Sequence, residues 1–221
     1  MEAQQELFER RYAQIAGTDR VGWSDEVTSA FAIGMFQKQL TAVGLSGGDL
    51  VELGCGRGNI ALAFARLGWR SVGVDFAPTA VRWAQEFATE QGLEAEFRVA
   101  DLREPWPFDT ESFDAVLDAN CLHFFHGDNR RRFLDEAHRV LRPSGYFLVS
   151  TIVNQPDPEH WEMLRYDPDA RITRQDGVPL NCYVDAPDLI GELAEAGFRV
   201  VSSVVESRDH PIMWATLRKS M

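Results

Sequence analysis

A loop with a glycine at every second position is the part of the sequence that most clearly predicts chemistry. It contains Gly54, Gly56 and Gly58. Glycine adopts the left-handed backbone angles of a tight turn and lets a ligand approach main-chain N–H groups closely. Four carboxylates at the ends of apolar runs accompany the loop: Glu52, Asp75, Asp101 and Asp118. This combination predicts a small-molecule site built from main-chain groups and acidic side chains.

Alternating strand and helix patterns from residue 49 onward predict how these residues come together. Strands are predicted at 50–53, 71–75, 97–100, 113–118, 146–153, 198–205 and 212–217. The alternation predicts an α/β, Rossmann-like fold with a mostly parallel seven-stranded sheet and helices on both faces. The last two strands are joined by only a few residues, so the final strand is expected to run antiparallel. Because parallel strands share one carboxyl edge, the four acids are expected to meet there.

Two segments flank or interrupt this pattern. Residues 1–45 are predicted to form an N-terminal helical cap of two helices. One face of the first helix carries Phe8, Tyr12 and Ile15, and one face of the second carries Val27, Phe31 and Met35. Residues 17–23 between these helices predict a loop. Residues 46–221 predict the main domain.

Residues 154–185 interrupt the main domain with four prolines. A connection this long inside a compact domain is usually functional, so a substrate lid is predicted. Its aromatic content fits an apolar or planar small molecule. The candidate wall residues, with one from the N-terminal cap, are Trp23, His160, Trp161, Met163, Tyr166 and Tyr183.

Composition restricts the classes of partner. Lys plus Arg number 22 against 34 Asp plus Glu, a formal net charge of −12. Nonspecific nucleic-acid binding rests on basic surface, so a nucleic-acid partner is not expected. The three cysteines have no zinc-type spacing, so no metal site is expected. No signal peptide or membrane span is recognisable, and a cytoplasmic location with no membrane partner is predicted.

The glycine spacing argues against a nicotinamide cofactor. The dinucleotide loop G-x-G-x-x-G would place its third glycine at position 59, where this chain has Asn59. The glycine occurs one residue earlier, at Gly58. A nicotinamide-dependent oxidoreductase is therefore retained only as an alternative.

The loop and its acids resemble the motifs of the class I S-adenosylmethionine-dependent methyltransferases. Residues 52–58, E-L-G-C-G-R-G, resemble their motif I, E/D-x-G-x-G-x-G. Asp75 resembles the second-strand acid, Asp101-Leu102 the third-strand pair, and residues 113–118 the fourth-strand motif. Residues 139–146 are similar to the R-V-L-K-P-G-G turn, with Ser144 in place of the first glycine. The resemblance runs from about residue 49 to 152 and implies S-adenosyl-L-methionine as cofactor.

The resemblance also implies roles for individual residues. Asp75 would accept hydrogen bonds from both ribose hydroxyls, and Phe76 would pack on the adenine. Asp101 would accept from the adenine amino group, while the Leu102 backbone N–H would reach a ring nitrogen. The methionine end would be held by backbone groups of the loop, including Gly54 and Gly56, and by Glu52 and Asp118. An acidic site also suits a cationic sulfonium better than it suits the phosphates of a dinucleotide.

The chemistry of methyl transfer does not require a conspicuous catalytic set, because much of the acceleration comes from alignment. His123 is the candidate general base, with a packed, hydrogen-bonded histidine as the competing interpretation. Cys121 is interpreted as a buried small hydrophobe rather than a nucleophile. The (N/D)-P-P-(Y/F) motif of amine methylation on bases is absent after the fourth strand.

The leading hypothesis is a methyltransferase acting on a small-molecule acceptor by in-line displacement. The alternatives are the oxidoreductase and a non-catalytic, cofactor-binding partner subunit. The sequence does not distinguish O, N, S and C acceptors, and a homodimer stays possible.

Overall fold

The computed structural model describes residues 2–15, 26–207 and 210–220. Its strands are β1 (Asp49–Leu53), β2 (Arg70–Asp75), β3 (Ala95–Val99), β4 (Phe113–Ala119), β5 (Leu141–Ile152), β6 (Tyr166–Asp167), β7 (Ile172–Gln175), β8 (Val178–Cys182), β9 (Phe198–Glu206) and β10 (Ile212–Lys219). Its helices are α1 (Glu2–Ile15), α2 (Glu26–Ala42), α3 (Asn59–Arg66), α4 (Pro78–Glu90), α5 (Gly127–Val140), α6 (Trp161–Leu164) and α7 (Ala186–Glu195).

Seven strands form the main sheet in the order β3-β2-β1-β4-β5-β10-β9. The neighbours from β3 to β5 are parallel, whereas β10 runs antiparallel to both β5 and β9. The predicted fold class is therefore confirmed. The strand order reverses between β1 and β4, which is where an open α/β sheet provides a crevice for a ligand.

Helices cover both faces of this sheet because each presents an apolar stripe to it. Phe36 of α2 and Phe64 of α3 lie in one buried cluster with the sheet. Phe133 of α5 and Leu193 of α7 lie in the cluster on the opposite face. The helices cover the two faces of the sheet, so the carboxyl edge of the strands is the part that can hold a ligand.

The most buried side chains of α2 are not those of the predicted apolar repeat. Phe36 and Leu40 are its buried side chains, while Phe31 is 45% exposed and Met35 is only partly buried. Trp214 of β10 contacts both stripes, since its ring lies 5.4 Å from the Phe36 ring and 5.9 Å from the Phe31 ring. The predicted loop at 17–23 lies outside the described residues.

The segment predicted as a lid contains regular structure of its own. The strands β6, β7 and β8 form a separate three-stranded antiparallel sheet that follows the short helix α6. The strand β8 contacts both α1 and the 3-10 turn Leu122–Phe124 after β4. This small sheet is therefore packed over the carboxyl edge of the main sheet. Within the three described ranges, no helix has the length and apolar character to cross a bilayer.

Candidate functional site

A cavity of about 480 Å³ opens at the carboxyl edge of the main sheet. Its walls come from the glycine loop, from α1 and α2, from the turn after β4, and from β8 and the start of β10. Of the nine predicted site residues, Asp118 alone does not line it. The structure therefore brings eight of them to one cavity: Glu52, Gly54, Gly56, Asp75, Phe76, Asp101, Leu102 and His123.

The glycine loop needs its glycines for two reasons. Gly54, Gly56 and Gly58 have φ angles of +64°, +53° and +78°, in the region that side chains disfavour. A Cβ at Gly54 would also lie 2.7 Å from Cys121 Sγ. The loop therefore passes close to the turn after β4 and presents main-chain atoms to the cavity.

Asp75 ends β2 directly beneath this loop. Its Oδ2 accepts a hydrogen bond from the Gly56 N–H at 2.9 Å, and its Oδ1 accepts one from the Ala77 N–H at 2.9 Å. Burial raises the pKa of Asp75 to about 6. Each carboxylate oxygen retains a second lone-pair site, so the residue can fix the loop and still accept from a ligand.

Glu52 fixes the start of the helix that follows the loop. Its Oε2 accepts a hydrogen bond from the Ala61 N–H of α3 at 2.8 Å, one of the donors that a helix start leaves without a partner. Burial raises the pKa of Glu52 to about 8, against the opposing effect of that hydrogen bond. Glu52 thus combines a structural role with a place in the cavity wall.

Asp118 is the one predicted site residue that does not line the cavity. Its Oδ1 accepts hydrogen bonds from the N–H groups of Cys121 and Leu122 at 2.8 and 2.9 Å. The side chain is fully buried, and burial raises the pKa of Asp118 to about 7. Its Oδ1 thus shapes the turn that carries His123.

The adenine-side candidates lie next to an arginine that the sequence did not single out. Arg103 Nη2 lies 2.7 Å from Asp101 Oδ2 and its Nε also donates to that carboxylate. Burial alone would raise the pKa of Asp101, but the hydrogen bonds from Arg103 outweigh it and lower that pKa. Arg103 Nη1 donates to Gln4 Oε1 of α1 at 2.9 Å. This part of the wall therefore includes a carboxylate held ionised and a helix tied to it.

His123 is buried on the turn after β4. Its Nδ1 lies 3.4 Å from Thr151 Oγ1, and its ring centre lies 4.4 Å from that of Phe124. Burial, followed by the positive charge of Arg130, lowers the pKa of His123 to about 3. The imidazole is therefore neutral at physiological pH and weakly basic, which favours the packed, hydrogen-bonded interpretation.

Cys121 is buried beside the glycine loop. Burial raises the pKa of its thiol well above the ordinary value. A protonated, buried thiol is a poor nucleophile, in agreement with the interpretation of Cys121 as a small hydrophobe.

The helix α1 forms a wall of the cavity over the glycine loop. The sequence pattern did not predict this position of the helix. Phe8 and Tyr12 both line the cavity, and the Phe8 ring lies 5.2 Å from the Phe76 ring. Gln5 Nε2 donates to the Phe76 carbonyl at 2.7 Å. The sequence predicted an apolar face on this helix, but it did not predict which part of the chain that face contacts.

The lid contributes fewer of its aromatic residues than predicted. Tyr183 lines the cavity, whereas His160, Trp161, Met163 and Tyr166 do not. Met163 is 71% exposed, and the ring of Trp161 in α6 lies 5.4 Å from the ring of Tyr166 in β6. Trp23 lies outside the described residues.

Other lining residues carry no motif in the sequence. They include Asn181 of β8, Leu164 at the end of α6, and His210 and Ile212 at the start of β10. Long-range packing alone brings these residues to the cavity. Among the described residues, no group of three or more His, Cys, Asp or Glu side chains is arranged to hold a metal ion.

Comparison with known proteins identifies the same segment. A family model described as a methyltransferase domain matches residues 51–149. A probable phthiotriol/phenolphthiotriol dimycocerosates methyltransferase 2 of Mycobacterium ulcerans is 34% identical over 132 residues, 59% of this chain and 49% of the relative. A ubiquinone biosynthesis O-methyltransferase of Maricaulis maris is 33% identical over 47% of this chain and 40% of the relative. The chain thus spans about half the length, or less, of these curated relatives.

Solved structures resemble the whole chain. The 1,6-didemethyltoxoflavin-N1-methyltransferase of Burkholderia thailandensis, solved with 1,6-didemethyltoxoflavin and S-adenosylhomocysteine, has a TM-score of 0.76 at 23% identity. The match covers 99% of this chain and 88% of that chain. A structure described by the conversion of a disulfide bond into a thioacetal group in echinomycin biosynthesis has a TM-score of 0.70 at 27% identity, covering 98% and 92%.

Proposed function

We propose that this chain is a class I S-adenosylmethionine-dependent methyltransferase, which transfers a methyl group from that cofactor to a small-molecule acceptor. The observation that carries the proposal is the loop of residues 52–58 held over Asp75. The Gly56 N–H donates to the carboxylate of Asp75, while both residues face one cavity. The turn lets a ligand approach the backbone closely, and the carboxylate can accept hydrogen bonds from its hydroxyl groups, so the site suits a nucleoside with a positive charge.

The residues present fit S-adenosylmethionine, judged by the cradle they form. A side chain at Gly54 would collide with Cys121, so only glycine lets the loop pack this closely on the turn after β4 while it lines the cavity. We propose that Asp75 receives the ribose hydroxyls, and that Phe76, Asp101 and Leu102 hold the adenine. Glu52 and the loop backbone then face the methionine portion. When bound, the cofactor supplies a methyl group on a positively charged sulfur, already activated for displacement.

We propose that residues 154–185 and the N-terminal helices form the acceptor side of the cavity. The support comes from Tyr183 and Asn181 of the first segment and from Phe8 and Tyr12 of α1, all of which line the cavity. Mostly apolar walls with a few polar groups are typical of sites for small, planar ligands. A cytoplasmic location stays a prediction from the sequence.

The test is a transfer assay with a labelled methyl donor and a panel of planar phenols, amines and thiols. The proposal predicts label in at least one acceptor, with production of S-adenosylhomocysteine at the same rate. A matched variant, Gly54→Ala, is expected to abolish the signal because its Cβ would lie 2.7 Å from Cys121 Sγ. Binding of the cofactor with no acceptor labelled would instead favour the non-catalytic partner subunit.

A further inference from the structure

The carboxylate of Asp101 is held at both of its oxygens by one arginine. Arg103 and Asp101 both line the cavity, two residues apart on the segment after β3. Arg103 Nη2 lies 2.7 Å from Asp101 Oδ2, and Arg103 Nε lies 2.8 Å from Oδ1. A planar guanidinium that bonds both oxygens of a carboxylate fixes the plane of that carboxylate. Arg103 therefore sets the orientation of Asp101.

These contacts leave Asp101 one oxygen for a ligand. Its Oδ1 accepts from the Arg103 backbone N–H at 3.0 Å and from the Arg103 Nε, which fills the two lone-pair sites of that oxygen. Its Oδ2 accepts from Nη2 and has only a longer contact, of 3.1 Å, with the shared Nε. The Asp101 side chain is 20% exposed and lines the cavity, so a ligand can reach Oδ2.

Asp101 can accept hydrogen bonds but cannot donate them. Burial acts to raise the pKa of Asp101, yet the hydrogen bonds from Arg103 outweigh it and lower that pKa. An ionised carboxylate has no proton to donate. A ligand group that faces Asp101 must therefore supply an N–H or O–H, because a carbonyl oxygen in the same place would face a negative charge.

Arg103 is itself restrained by contacts with three other segments. Its Nη1 donates to Gln4 Oε1 of α1 at 2.9 Å, and its carbonyl accepts from Arg132 Nη1 of α5 at 2.7 Å. Its guanidinium carbon lies 5.9 Å from the centre of the Phe76 ring, which follows β2. A restrained partner lowers the entropy cost of ordering Asp101 on a ligand.

We infer that Arg103 is a positioning residue that makes the cavity selective for a nucleoside whose base carries an exocyclic amino group. The inference rests on the proposed function, in which Asp101 accepts from the adenine amino group. Arg103 acts through Asp101. It keeps the carboxylate oriented and without a proton, so that an amino group is bound and a carbonyl at the same ring position is rejected.

The test compares S-adenosylhomocysteine with S-inosylhomocysteine, in which a carbonyl replaces the amino group of the base. Calorimetric titration measures both dissociation constants in wild type and in Arg103→Met. A hydrogen bond to a charged group corresponds to roughly 10- to 100-fold in affinity, so wild type should bind S-adenosylhomocysteine that much more tightly. Arg103→Met should weaken S-adenosylhomocysteine by about tenfold and S-inosylhomocysteine by less than about threefold, since the second ligand has no amino group to lose.

Two further variants separate selectivity from general support of the fold. Arg98→Met removes a similar pair, between Arg98 and Glu96 on β3, whose residues do not line the cavity, and it should match wild type. Gln4→Ala removes the hydrogen bond from Arg103 to α1 and keeps the pair with Asp101, so it should change both affinities by the same factor.

Arg103→Lys keeps the charge and loses the planar fork, so it should show the same selective loss at a smaller size. It carries the test if Arg103→Met does not fold. Equal weakening of both ligands in the Arg103 variants would show that the arginine only supports the local fold, and would overturn the inference.

Two other results would also overturn it: equal affinities of wild type for the two ligands, or unchanged affinities in the Arg103 variants. In these cases wild type still binds S-adenosylhomocysteine, so the cofactor assignment stands. If wild type does not bind S-adenosylhomocysteine at all, the proposed function is wrong and the inference fails with it.

Discussion

The carboxylate of Asp75 lies beneath the glycine loop and accepts a hydrogen bond from the Gly56 N–H at 2.9 Å. The second oxygen of the same carboxylate accepts from the Ala77 N–H, where the chain enters α4. One acidic side chain therefore ties together the carboxyl ends of β2 and β1, beside the crevice between β1 and β4. The hydrogen bond from the Gly56 N–H to Asp75 therefore helps to fix the conformation of the glycine loop.

Substitution of Asp75 by Asn should weaken cofactor binding strongly. An amide group presents a donor where one oxygen now accepts, and it removes the charge from the two proposed ribose contacts. Hydrogen bonds to charged groups contribute about 1.5–3 kcal/mol each, so the affinity for S-adenosylhomocysteine should fall by roughly 10²- to 10⁴-fold. Calorimetric titration measures it. The exposed Glu96→Gln variant on β3 is the control, and an unchanged affinity in Asp75→Asn would show that the ribose position is misassigned.

Gly54→Ala should abolish cofactor binding, whereas Gly34→Ala should stabilise the fold. Gly54 has a φ of +64° and no room for a Cβ beside Cys121, so Gly54→Ala should remove cofactor binding. Gly34 lies inside α2 with nothing within 4 Å of an added Cβ, so Gly34→Ala should raise the free energy of unfolding by about 0.5–1 kcal/mol. Urea unfolding and cofactor titration of both variants check this. Normal binding by Gly54→Ala would contradict the geometry of the loop.

The free energy of unfolding should decrease as pH rises from about 5 to 8. Burial raises the pKa values of Glu52, Asp118 and Asp75 to about 8, 7 and 6. A group with a raised pKa in the folded state holds its proton there more tightly than in the unfolded chain. Its contribution to stability is therefore complete below the unfolded pKa and is lost as pH rises through the folded pKa.

Glu52→Gln supplies the control for that prediction. The amide oxygen can still accept from the Ala61 N–H, but it does not titrate. Urea unfolding of the cofactor-free protein at several pH values should show a flatter dependence in this variant than in wild type. An equally steep decline in both proteins would show that Glu52 is not protonated in the folded state.

Substitution of Arg130 by Met should destabilise the turn that carries His123. Arg130 Nη1 donates to the Leu122 carbonyl at 3.1 Å, and its Nε donates to Glu192 of α7 at 2.7 Å. Losing a buried pair costs about 3–5 kcal/mol, and about 2–3 kcal/mol is expected here because Glu192 is partly exposed. Urea unfolding gives this free energy. Glu192→Gln leaves the hydrogen bond from Arg130 to the Leu122 carbonyl in place, so it should lower the free energy of unfolding by less than Arg130→Met. A larger loss in Glu192→Gln would contradict a stabilising contact between Arg130 and this turn.

The sequence was sufficient for the sheet and for eight of the nine predicted site residues that line the cavity, because both depend on local patterns. Asp118 shows the limit: it ends a strand as the other acids do, yet its carboxylate binds the N–H groups of Cys121 and Leu122. The direction of a side chain at a strand end depends on the next few backbone angles, and Asn120 there has a φ of +65°. No residue pattern predicts that turn.

The positions of the N-terminal helices and of residues 154–185 could not be predicted, because they depend on packing between segments that are distant in the sequence. In α2, the side chains of Phe36 and Leu40 are the most buried, although Trp214 contacts both Phe36 and Phe31. His210 comes to the cavity only because β10 pairs with β5 in a particular register. Such contacts are decided by the folded chain as a whole, which is why they were missed.

Calorimetric titration with S-adenosylhomocysteine, with NADH in parallel, tests the central claim most directly. The account predicts one site per chain for S-adenosylhomocysteine, no response to NADH, and loss of the first signal in Asp75→Asn. Binding of NADH with no response to S-adenosylhomocysteine would contradict it.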